Sequence, residues 1–338
     1  MSASPRAADP AAPGAARAPR NAEQVLKRLE WTVLRRLDGQ LQGDYRTLFR
    51  GFGLDLADLR EYQYHDDVRY IDWNVTARLQ VPYVREYTED REVTAWFLLD
   101  LSPSVDFGSS GVRKRTLSSE FVAVLARILS RHGNRIGALF YGDRVDTVIP
   151  SSSGRMHVLR ILDRMLGRIA PVAPKPRLVK GKAPERSKGT DLNDLLRTAF
   201  AVIPRRSLVF IVSDFISAPG WGKVLGELAR RHEVIAIRLY DPMELELPDL
   251  GMFMIEDAET GEQLFVDTHD RGFRERFARI AAEREAALRT SLAQAGVDAL
   301  ELCTDDDLVD SMLRFADLRK RRRHASGGGL PRHLQRMA

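Results

Sequence analysis

The chain has 338 residues, 44% of them hydrophobic, and a formal net charge of +5. That composition supports a substantial buried core, but the longest apolar runs, 93–99 and 208–212, fall far short of the ~20 residues of a membrane span. The one cysteine, Cys303, excludes an internal disulfide and leaves no paired cysteines for zinc.

No charged-then-apolar signal segment opens the sequence, so a cytoplasmic location is expected. The positive charge is concentrated in the loop 171–189 and in the run "RKRRRH" at 319–324. Basic segments of this kind more often solubilise a chain than read a base sequence, and no nucleic-acid partner is expected.

In chain order, residues 1–20 are rich in Ala, Pro and Arg and read as a disordered tail. Asn21 can cap a helix carrying Val25, Leu26, Leu29, Val33, Leu34 and Leu37 on one stripe, ending near Gly39. A less regular, aromatic-rich region continues to residue 91. From 92 a rhythm sets in. "VTAWFLLDL" is an unbroken apolar run, as expected of a strand covered on both faces. Leu117, Phe121, Val124, Leu125, Ile128 and Leu129 then mark a helix closed by Gly133.

"RIGALFYG" and "VDTVIP" read as strands, 156–166 as a helix, and Leu192, Leu195, Leu196 and Phe200 as another. "SLVFIVSDF" and "EVIAIRLYDP" are further buried strands separated by a helix at 224–231, and "MFMIEDAETGEQLFVD" is a hairpin turning at 259–261. A long helix carries Phe273, Phe277, Ile280, Leu288 and Leu292. A last one begins at Thr304 with three aspartates in its first turn. The alternation predicts an α/β fold: a doubly wound, mostly parallel sheet of Rossmann type with an N-terminal accessory region. The expected organisation is a tail (1–20), an N-terminal region (21–91), the α/β domain (92–318) and a basic tail (319–338).

Doubly wound sheets bind ligands beyond the carboxyl ends of their strands. Three oxygen-bearing positions stand at such ends: "DLSPS" with Asp100, Ser102 and Ser104; Thr190, where a loop enters a helix; and Asp214, closing "SLVFIVSD". Singly, each is explained as a helix cap or turn. Together they offer hydroxyls and carboxylates, hard donors that suit magnesium, manganese or calcium.

Asp-x-Ser-x-Ser, a later threonine before a helix and an aspartate after a strand resemble the metal-ion-dependent adhesion site of von Willebrand factor type A domains. The resemblance implies that Asp100, Ser102, Ser104, Thr190 and Asp214 hold Mg2+ (or Mn2+ or Ca2+), and that a partner's Asp or Glu completes the shell. A longer stretch, "GFGLDLADLREYQYHDDVRYIDWNVTAR", together with "VREYTEDRE" and "FGSSGVRKRT", resembles the bacterial family called domain of unknown function fifty-eight. His65 departs from the glycine usual there, and Val105 from a common methionine. That resemblance implies association with AAA ATPases of the MoxR group in chaperone-like or metal-insertion systems.

Within the signature, Arg60, Asp66, Asp67, Arg69, Asp72, Trp73 and Arg78 read as an ion-paired, aromatic module docked on the sheet, since unpaired buried charges would be costly. No P-loop, Gly-x-Ser-x-Gly elbow or His-Glu-x-x-His is present. "GSSGVRK" reads as a mobile loop, and His132 and His232 as capping or solvated. The expected function is therefore metal-dependent protein interaction rather than catalysis. The alternative is a divalent-metal phosphoester hydrolase, whose nearest candidate bases are Asp106 and Asp191.

Overall fold

A computed structural model describes residues 22–40, 58–63, 68, 71, 73–86, 94–109, 111–167, 190–256 and 262–327. Its centre is a six-stranded sheet of β3 (Thr94–Asp100), β4 (Arg135–Tyr141), β5 (Val145–Ser152), β6 (Leu208–Ser213), β7 (Glu233–Tyr240) and β10 (Asp298–Cys303). The spatial order is β10-β7-β6-β3-β4-β5. All neighbours run parallel except β5, which pairs antiparallel with β4 at the edge. Chain order thus reverses between β3 and β6, as in a Rossmann-like sheet, and that reversal opens a crevice at their carboxyl ends.

The unbroken apolar runs behave as two-sided strands must. Along β3, Ala95, Phe97 and Leu99 enter one core, while Trp96 and Leu98 enter the other. Phe97 faces Phe210 of β6 in register, with ring centroids 5.2 Å apart. Beside Trp96 the sheet needs Gly137, because a Cβ there would stand 2.6 Å from the indole.

The first core is covered by α4 (Lys114–Arg131), α5 (Arg155–Gly167) and α9 (Leu308–Gly327), the second by α6 (Leu192–Val202), α7 (Trp221–Arg231) and α8 (Arg271–Ala295). The predicted first helix is present as α1 (Ala22–Leu29) and α2 (Arg35–Gln40), joined by a widened π turn. Its stripe of Val25, Leu26, Leu29, Leu34 and Leu37 joins the first core, so the N-terminal segment helps to build the α/β unit. Among the described residues no helix is long and apolar enough to cross a membrane.

Several expectations are corrected. β10 was not foreseen: "DALELC" is short, carries Asp298 and Glu301, and follows a long helical pattern. α9 begins at Leu308 rather than Thr304; Asp307 caps it by accepting from the backbone N–H groups of Val309 and Asp310. That helix also runs through the basic stretch 319–324. On α8, Ile280 is exposed, and on α6 Ala199 is buried where Phe200 is exposed. The hairpin forms as β8 (Met252–Glu256) and β9 (Gln263–Asp267), its predicted turn lying outside the described residues.

The N-terminal signature folds as β1 (Asp58–Glu61) antiparallel to β2 (Tyr83–Glu86), with α3 (Trp73–Leu79) between them. Arg60 lies on β1, and Trp73 and Arg78 lie on α3. Trp73 was expected to pack, but it is 69% exposed. Arg78 is exposed too. Asp66, Asp67, Arg69 and Asp72 lie outside the described residues, as do the tail 1–20 and the loop 171–189.

Candidate metal centre

The five candidate ligands fall at the strand-order reversal. Asp100 ends β3 and is fully buried; Ser102, Ser104, Thr190 and Asp214 are also buried. Past β3 the chain turns sharply. The Ser102 N–H donates to Asp100 Oδ1 (3.0 Å), and the hydroxyls of Ser102 and Ser104 sit 3.0 Å apart. Pro103 starts the short 3-10 turn that carries Ser104 back over the strand end.

Past β6 the Ser213 hydroxyl donates to Asp100 Oδ2 (2.6 Å) and accepts from the Phe215 N–H (2.9 Å). Asp214 Oδ1 accepts from the Ile216 N–H (3.0 Å). Phe215 takes φ +59°, an uncommon left-handed conformation for an aromatic residue. Strain of this kind concentrates at ligand sites. The Thr190 carbonyl accepts from the Ala218 N–H (3.0 Å) and the Ser217 hydroxyl (3.0 Å), which ties the entry of α6 to the segment after β6. The fold therefore brings the Asp100 loop, the segment after β6 and the backbone at Thr190 to one end of the sheet.

Besides Ser213, three further supporting side chains escaped the sequence reading. Arg115, buried in the first turn of α4, donates to the Leu101 carbonyl (3.1 Å) and so holds the loop bearing Ser102 and Ser104. Tyr141 accepts from the Asp191 N–H through its hydroxyl (2.8 Å), while its carbonyl accepts from the Leu101 N–H (2.8 Å). One residue thereby sets both the Asp100 loop and the Thr190 segment. The third is Lys114, fully buried, whose ammonium donates to Asp214 Oδ2 (2.8 Å) and Glu244 Oε1 (2.6 Å).

A signal for Lys114 and Arg115 did exist. α4 opens with two cations where the helix dipole favours anions, so some other charge had to compensate them.

The electrostatics are unbalanced at Asp100. Burial, and then repulsion from Asp214, push its carboxyl up from 3.8 to about 6 despite the hydrogen bonds from Ser213 and Ser102. Burial works against the Lys114 ammonium, but Asp214 and Glu244 outweigh it and hold its pKa above the ordinary value. Glu244 is raised, by burial first, against the pull of Lys114.

These donors fit a hard divalent cation, because buried hydroxyls converge on a carboxylate whose excess of negative charge a cation would relieve. Among the described residues no three His, Cys, Asp or Glu side chains gather into a metal cluster. Any ion at this place would therefore draw on Ser102, Ser104 and Thr190 besides the aspartates.

The glycine-serine loop is not free. The Ser109 N–H and hydroxyl both donate to Asp241 (2.8 and 2.7 Å) at the end of β7. Ser109 is therefore pinned to the sheet rather than mobile. His132 Nδ1 lies 2.8 Å from the Ile128 carbonyl. The His232 backbone N–H closes α7 on the Leu228 carbonyl. Its ring, however, is buried with neither nitrogen hydrogen-bonded, not solvated as expected.

The family model of the protein of unknown function DUF58 matches residues 58–287. The chain belongs to the DUF58 family. Uncharacterised proteins of Mycobacterium tuberculosis and Mycobacterium bovis are each 37% identical over 299 residues, covering 88% of this chain and 89% of theirs. A shorter uncharacterised protein of Mycobacterium avium is 39% identical over 117 residues, which is 35% of this chain and 69% of that protein.

Among solved structures, the conserved hypothetical protein BatB from Bacteroides thetaiotaomicron matches with a TM-score of 0.40 and 13% identity, over 68% of this chain and 98% of that one. An aerotolerance-related membrane protein from Bacteroides fragilis matches at 0.39 and 11%, over 67% and 97%. The DUF58 signature includes β1, α3 and β2 together with most of the sheet.

Proposed function

We propose that this DUF58 protein is a cytoplasmic, metal-dependent protein-interaction module with a von Willebrand factor A-like domain. Asp100, Ser102, Ser104, Thr190 and Asp214 would hold Mg2+, or Mn2+ or Ca2+ in its place. The ion would supply a positive point that captures an Asp or Glu of a partner protein. The observation that carries the reading is the burial of Asp100 and Asp214 at the ends of the neighbouring strands β3 and β6, with serine hydroxyls arrayed around Asp100 at the strand-order reversal.

The residues of the chain divide the remaining work. Ser213 and the Ser102 N–H orient Asp100. Arg115 and Tyr141 fix the loops that carry the hydroxyls. The preferred partner is a MoxR-type AAA ATPase, in chaperone-like assembly or maturation, a choice that rests on family resemblance alone.

The hydrolase alternative needs a free base near the ion. Both candidates are already engaged. Asp191 caps α6, accepting from the Asn193 N–H (3.0 Å), and Asp106 pairs with Arg113 (3.3 Å).

The test is binding to a MoxR-type ATPase encoded beside the chain, in magnesium, in chelator, and with Asp100→Ala. The proposal expects a complex in magnesium that is lost in both controls, with no turnover of a small phosphate ester. A complex unchanged in both controls would turn the five residues back into caps and turns.

A further inference from the structure

The charge count around the centre assigns a second task to one buried residue. Asp214 is not a bare carboxylate awaiting a metal: Oδ2 is already held by the Lys114 ammonium and Oδ1 by the Ile216 N–H. Lys114 is fully shielded from water, so little solvent screens its charge. Its second partner, Glu244, comes from the short turn after β7.

Glu244 is itself anchored. It accepts from the Asp241 N–H (3.1 Å) in a reciprocal cap in which Asp241 caps the same turn. The ammonium is thus divided between one carboxylate of the candidate metal site and one outside it.

Resting on the divalent-ion reading, we infer that Lys114 sets the metal affinity of this centre, as an internal cation that competes with the metal for Asp214, with Glu244 setting how strongly it competes. A cation fixed in contact with a ligand carboxylate opposes a divalent ion by on the order of tenfold or more in affinity at the effective dielectric of a protein site. The chain alone then holds its ion weakly. The missing negative charge is the one that a partner's carboxylate supplies, which makes ion and partner bind cooperatively.

The inference predicts opposite effects from two neutralising changes. Lys114→Met or Lys114→Gln removes the competitor and tightens binding. Glu244→Gln leaves the whole ammonium charge on Asp214 and weakens it. Damage to the fold would weaken binding in every variant.

The experiment is a calorimetric titration of Mn2+ alone into the full chain and each variant, with folding checked by cooperative thermal melting. The glutamine at position 114 keeps a hydrogen-bond donor for Asp214 if methionine does not fold. The expected result is about tenfold tighter Mn2+ binding in the Lys114 variants and severalfold weaker binding in Glu244→Gln. Equal or weaker binding in a folded Lys114 variant, or unchanged binding in Glu244→Gln, overturns the inference and leaves the metal reading standing. No Mn2+ binding by the unaltered chain or by any variant removes both.

Discussion

Asp100 and Asp241 are both wholly buried carboxylates near carboxyl ends of strands in one sheet, and their surroundings treat them in opposite ways. Asp241 lies just past β7. It accepts from the Ser109 N–H, the Ser109 hydroxyl, the Thr304 hydroxyl (2.7 Å) and the Met243 N–H (3.0 Å). Burial alone would raise its pKa, but those hydrogen bonds, Ser109 foremost, hold it below the usual carboxylate range. Asp100 has fewer donors and a like charge nearby, and is pushed up to about 6.

The difference separates a saturated carboxylate from an under-compensated one. A saturated buried carboxylate ties elements together, here the Ser109 loop, the turn after β7 and the end of β10. An under-compensated one beside a second carboxylate is where the proposed cation would relieve the charge.

The strongest way to break this contrast is Asp241→Ala. It leaves the Ser109, Thr304 and Met243 donors without their acceptor and should cost about 3–5 kcal/mol, read by urea denaturation. A loss below about 1 kcal/mol would deny Asp241 its structural role.

The next test uses pH. In the fold Asp100 titrates above its unfolded value of 3.8, so its contribution to stability is full below 3.8 and is lost as pH rises through about 6. A rise from 3.8 to about 6 corresponds to on the order of 3 kcal/mol. In chelator, the chain should therefore gain stability relative to Asp100→Asn as pH falls from 7 to 5. A difference independent of pH across that window would contradict the strained-carboxylate account. At pH 7 the same substitution removes the buried charge and should raise metal-free stability by on the order of 1–3 kcal/mol, yet abolish any magnesium-induced rise in Tm.

The smallest effect concerns His232. Burial, then Arg231, hold its ring below the ordinary 6.5. The unfolded chain takes up the proton first, so stability is full above pH 6.5 and falls as pH drops through that value. His232→Leu should remove this loss and shift stability at pH 8 by no more than about 1 kcal/mol. An undiminished acid loss in the variant would assign it to other groups.

The same contrast explains how much could be read from the sequence. β3, β6 and β7 were legible because two-sided burial writes itself as an unbroken apolar run, and Asp100, Ser102, Ser104 and Asp214 because they punctuate the ends of such runs. β10 was not, since a short strand with charges on it lacks that signature.

Lys114 and Asp214 are 100 residues apart, and Ser109 and Asp241 are 132 apart. Pairings at such separation leave no local pattern, so the charge that balances the site and the loop that is pinned beside it emerged only in three dimensions. His232 stands at a helix end as its local position implies, but the burial of its ring is not a local property and left no signal.

The central claim is that the crevice between β3 and β6 holds a divalent ion. A crystal of the full chain soaked in Mn2+ and measured at the manganese absorption edge tests it most directly. An anomalous peak is expected at coordination distance from the Ser102 and Ser104 hydroxyls, beside Asp100 and Thr190. A fully ordered crevice with no peak at saturating Mn2+, or manganese bound only elsewhere, would contradict it.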